Sequence, residues 1–147
     1  MNKETDTFVQ SKYMAYKSGY KYQIHEDFYY KLTFRPVSEK VETRFITLYP
    51  DGWLVIKNGY SYDGASGITY DSKNTMRASL VHDALYQLMR MELIEQMYRD
   101  ESDEELYILI REDGMWYIRA KSWHLAVTYF ADSAADPKNR KKVLFAP

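Results

Sequence analysis

At Gly59 the rhythm of apolar residues changes, and this switch constrains the fold more than any other feature of the chain. Before it, aromatic and β-branched residues stand in short runs separated by polar or turn-forming clusters, the pattern of strands. After it comes GYSYDGASGITYDSKN, rich in Gly, Ser, Asp and Asn, and then an apolar pattern of helical period that no proline interrupts before position 137. Two textures in that order predict an α+β fold: a small antiparallel N-terminal sheet of hairpins followed by a three-helix unit. A chain of 147 residues has the length of one domain. The expected division is a single α+β domain over 1–131 and a basic tail over 132–147, the domain being β-rich over 1–60, with a Gly-rich loop over 59–71 and helices over 72–131.

Candidate strands are residues 20–24, 28–34 and 45–49. In FITLYPDGWLVIKNG, Pro50 fixes φ, Asp51 caps a turn with its side chain and Gly52 tolerates positive φ, so 45–49 should pair with 53–57. Alternation puts Ile46 and Leu48 on one face and Phe45, Thr47 and Tyr49 on the other, a half-buried sheet with one face toward helices. The first helix should start at Ser72 or Asn74 and end near Met91, with Leu80, Ala84 and Leu88 in one row and Val81 and Leu85 in the next. The second should begin near Arg99, with Asp100, Glu101, Asp103 and Glu104 at its positive end, and stop at Gly114. The third, over 116–130, carries Trp116, Ala120, Trp123, Val127 and Phe130 at helical spacing.

Composition removes several classes of function. Apolar residues make up 46% and the net charge is −1, which argues against wholesale disorder and against a basic surface for specific nucleic-acid binding. The absence of cysteine excludes a disulfide framework, a thiolate zinc cluster and a cysteine nucleophile. Chemistry falls to histidine, carboxylates and hydroxyls. The start MNKETDTFVQ lacks the pattern of a signal peptide and no apolar run approaches a membrane span, so synthesis and folding in the cytosol are expected. Lys138, Arg140, Lys141 and Lys142 make the tail basic, a chemistry that anionic lipid or phosphate would attract and that a solvated tail explains as well.

The segment SLVHDALYQ carries the candidate site. His82 and Tyr86, four apart, share one helix face, while Asp83 points about 100° away around the helix. On the second helix Asp103 lies in line with Leu106, Tyr107 and Ile110, on the buried stripe, and a buried carboxylate needs a partner. Asp103 is therefore expected to meet His82 and Tyr86 across the helix pair. An aspartate that orients a histidine is the core of general-base catalysis. The same three residues can equally tie two helices together as a satisfied polar cluster. In the loop GYSYDGASG, Gly59, Gly64 and Gly67 permit a tight fold with carbonyl oxygens turned inward, which together with Asp83 would suit calcium; a plain glycine-rich turn is the other reading.

Two resemblances follow from these motifs. YDGASG, RASLVHDALYQ and RDESDEELY, in that order between Gly59 and Phe130, resemble an uncharacterised family of small proteins of tailed phages and prophages. That resemblance implies a phage protein made in the host cytoplasm, with association with the virion and other virion proteins as its natural context. The same residues are similar to the calcium-dependent phospholipases of the secretory A-two type, most closely the cysteine-free version on parvovirus capsids. By that likeness Tyr62, Gly64 and Ser66 fall on the calcium loop and Asp83 on the remaining calcium ligand. His82 falls on the base, Tyr86 on its hydrogen-bonding support and Asp103 on the orienting carboxylate. A glycine of the family loop is replaced by Ser66, with Gly67 one place later, and the N-terminal sheet has no counterpart in the viral domain. The implied activity is calcium-dependent hydrolysis of a phospholipid ester; the alternative is a non-catalytic virion or accessory protein.

Overall fold

A computed structural model describes residues 3–17, 22–62 and 76–113. Among these residues seven strands and two α-helices follow in order: β1 (Tyr16–Lys17), β2 (Tyr22–Ile24), β3 (Phe28–Lys31), β4 (Val41–Glu42), β5 (Ile46–Leu48), β6 (Trp53–Ile56), β7 (Ser61–Tyr62), α1 (Met76–Arg90) and α2 (Arg99–Glu112). The strands form two antiparallel sheets, ordered β1-β2-β7 and β3-β6-β5-β4, where a single small sheet was expected. The short strands β1, β4 and β7 escape the sequence pattern because two residues carry no readable alternation. The expected third helix over 116–130, the helix start before Met76, Gly114 and the tail lie outside the described residues.

The hairpin forms as its turn residues dictate. Tyr49 accepts from the Gly52 N–H at 3.0 Å and donates to the Trp53 carbonyl at 2.9 Å, which leaves Gly52 at φ 95°. A turn closed by a left-handed residue is a bulged three-residue hairpin, and glycine is the residue that enters that region freely. The register then pairs Ile46 with Ile56 and Leu48 with Leu54, all four fully buried against the helices.

The opposite face departs from the half-buried expectation. Thr47, Tyr49, Trp53 and Val55 are buried too, because the N-terminal segment crosses that face. Phe8 stands edge-on to Tyr29, Tyr49 and Trp53 at centroid distances of 5.1, 5.4 and 5.6 Å. Thr5 donates to the Asp51 carboxylate in the turn, and Lys40 bridges to Glu4 at 3.1 Å. A second, aromatic core thus closes the side that alternation alone leaves to solvent.

The main core joins the inner faces of the sheets to α1 and α2. Leu80, Ala84 and Leu88, with Val81 and Leu85 beside them, are completely buried, so both expected rows of α1 face inward. At the end of α1, Glu92 N–H reaches the Met89 carbonyl and Leu93 N–H the Leu88 carbonyl, each at 2.9 Å. This is a Schellman closure, and it turns the chain toward α2.

Candidate functional site

The chemistry-bearing residues converge on α2. A helix advances about 100° per residue, so Asp103 and Glu105 point to nearly opposite sides. Asp103 faces α1, and Glu105 faces the sheet.

On the α1 side, His82 Nε2 lies 2.7 Å from Asp103 Oδ1, and the Tyr86 hydroxyl donates to the same oxygen at 2.6 Å. The two rings, four residues apart on α1, stack at 4.1 Å with a tilt of 32°. All three side chains are buried, His82 at 7% exposure and Tyr86 and Asp103 at 3% each. An ionised carboxylate only accepts, so the short contact places the proton of a neutral imidazole on Nε2. Nδ1 is then the basic nitrogen. The contact between Asp103 and the His82–Tyr86 pair that the spacing predicts is present.

The expected calcium residues divide. Asp83 is half-buried on α1, next to His82 in sequence. Tyr62 is buried in β7, where its hydroxyl lies 3.4 Å from the Met76 carbonyl and 3.6 Å from Met14 Sδ. Gly64 and Ser66 lie outside the described residues. Calcium takes six to eight oxygens. Among the described residues no group of three or more His, Asp or Glu is placed to hold a metal, and of the expected calcium ligands they include Tyr62 and Asp83. A calcium ion held by Asp83 would need further oxygens.

Two buried charges escape the sequence reading. Glu105, fully buried, accepts from the Tyr30 hydroxyl at 3.0 Å and from the Thr33 N–H. Burial first, and the Glu105 carboxylate beside it, push the Tyr30 phenol well above the usual tyrosine range. Arg77, 4% exposed, opens α1 and forks onto Asp113 through Nη2 at 2.8 Å and Nε at 3.2 Å; its Nη2 also reaches Glu112 at 3.1 Å. Its Nη1 donates to the Ser11 carbonyl at 2.7 Å. Burial alone would lower the Arg77 pKa, but Asp113 and Glu112 outweigh it and hold the group above its ordinary value. Glu105 was hidden in an acidic run, although its i−3 and i+4 neighbours, Ser102 and Leu109, are on the buried stripe and could have marked it. Arg77 carries no such signal, because its partners are a carbonyl and two helix-end carboxylates.

No family model matches the chain, and neither a curated protein nor a solved structure is significantly similar to it.

Proposed function

We propose that this is a phage-encoded ester hydrolase in which His82 is the general base, and that its substrate is a phospholipid ester. One observation carries the proposal: Asp103 Oδ1 takes both His82 Nε2 and the Tyr86 hydroxyl. Asp103 holds the imidazole in one tautomer and would stabilise the imidazolium formed when Nδ1 accepts a proton from water. Tyr86 fixes the carboxylate and supports the imidazole ring with its own. The water oxygen then attacks the ester carbonyl, and the proton held on Nδ1 passes to the departing alcohol. A calcium ion bound through Asp83 and the glycine-rich loop would polarise that carbonyl. Lys138, Arg140, Lys141 and Lys142 extend the same reading, as a basic contact for anionic lipid or other virion proteins.

The burial of all three side chains favours a second reading, a non-catalytic virion or accessory protein whose cluster locks α1 to α2. Hydrolysis of a fluorogenic phospholipid in vesicles, with millimolar calcium or with chelator, separates the two. The expected result is turnover that needs calcium and falls at least a hundredfold in His82→Gln and in Asp103→Asn while both variants stay folded. Turnover absent from the natural protein, or undiminished in both variants, would remove the hydrolase. A parallel calcium titration by calorimetry should show binding that Asp83→Asn abolishes.

A further inference from the structure

A groove of about 580 Å³ lies between the 36–41 segment and the connection from α1 to α2. Val37, Val41 and Leu93 supply its accessible apolar lining, over the buried Met89 and Ile94, and Glu39, Glu92 and Glu95 line it with charge. The three carboxylates are exposed and take part in none of the ion pairs of the described residues. Lys40, the nearest cation in sequence to Glu39, is turned instead to Glu4 at 3.1 Å and Glu42 at 3.8 Å. Glu95 precedes the short 3-10 turn Gln96–Tyr98 without capping it.

Glu92 holds φ 60°, the left-handed position of the Schellman closure that glycine fills at lower cost. Exposed apolar surface between like, unneutralised charges is complementary to a ligand that is cationic at its edges and apolar at its centre. Long basic stems can lie along the lining while their heads meet the carboxylates.

We propose that this groove binds an extended basic peptide segment of a partner protein, with lysine or arginine side chains alternating with apolar ones. The test uses the full chain and fluorescein-labelled peptides KLKVKLK, KSKSKSK and ELEVELE, followed by polarisation. KLKVKLK is expected to bind at least tenfold more tightly than either control, and to lose at least tenfold in affinity to the Glu39→Gln, Glu92→Gln, Glu95→Gln triple variant. Glu92→Gly is expected to raise the melting temperature yet weaken KLKVKLK binding, because it relieves the left-handed residue and removes one carboxylate. Equal binding of KLKVKLK and KSKSKSK, or unchanged binding to a triple variant that melts normally, would overturn the proposal. So would binding that emerges only when Lys138, Arg140, Lys141 and Lys142 are replaced by serine, since the chain's own tail would then be the occupant.

Discussion

Asp103 and Glu105 stand two residues apart on α2, both buried and both taking a tyrosine hydroxyl, yet their second partners differ in kind. Glu105 accepts from the Thr33 backbone N–H, a group that does not exchange charge with anything. Asp103 accepts from His82, a ring whose second nitrogen is free to act as an acceptor when the first is held on the carboxylate. The same problem, a carboxylate removed from water, is solved once as a fastener between helix and sheet and once as an arrangement able to move a proton. What distinguishes a lock from a candidate active site here is the chemistry of the partner, not the depth of burial.

The lock should show the larger stability effect. Glu105→Ala leaves the Tyr30 hydroxyl and the Thr33 N–H without their acceptor, and at about 1–3 kcal/mol for each orphaned buried group the expected loss is about 3 kcal/mol in urea unfolding. A loss below about 1 kcal/mol would mean that water takes the place of the carboxylate and that the helix–sheet fastener is weak. Asp103→Asn should cost less, about 1–2 kcal/mol, because both donors meet one oxygen, and an amide there can still meet them with its oxygen or, for the other tautomer of His82, with its NH2. If Asp103→Asn proves as costly as Glu105→Ala, the contrast between the two carboxylates disappears.

The third expectation concerns pH. An unfolded tyrosine loses its proton near about pH 10, whereas Tyr30 is held neutral by burial and by Glu105. The unfolded state therefore gains from ionisation that the folded state does not share. The contribution of Tyr30 is complete below about pH 10 and is lost as pH rises beyond it. Thermal melts from about pH 9 to about pH 11 should show a shallower decline for Tyr30→Phe than for the natural protein. Parallel declines would show that other groups govern alkaline unfolding.

Much of this arrangement is legible in the sequence. The Pro50-Asp51-Gly52 turn, the two buried rows of α1 and the meeting of Asp103 with His82 and Tyr86 all follow from local rules, since each depends on spacing within one or two elements. The second face of the half-buried hairpin is covered as well, which the pattern does not show because Phe8 comes from a segment with no periodic pattern of its own. Glu105 and Arg77 were missed for a related reason. Their partners, Thr33, Ser11 and Asp113, are loop or helix-end groups whose approach depends on tertiary packing rather than on residue type. The calcium expectation rests on Gly64 and Ser66, which lie outside the described residues, and on Tyr62 and Asp83, which lie within them.

The central claim is that Asp103 sets the tautomer of His82 so that Nδ1 is the base. Long-range proton–nitrogen correlation of the imidazole, recorded on the natural protein and on Asp103→Asn at about pH 8, where an ordinary histidine is neutral, tests it directly. The expected spectrum shows the proton on Nε2 in the natural protein and a loss of that preference in the variant. A proton on Nδ1, or an unchanged tautomer in Asp103→Asn, would contradict it.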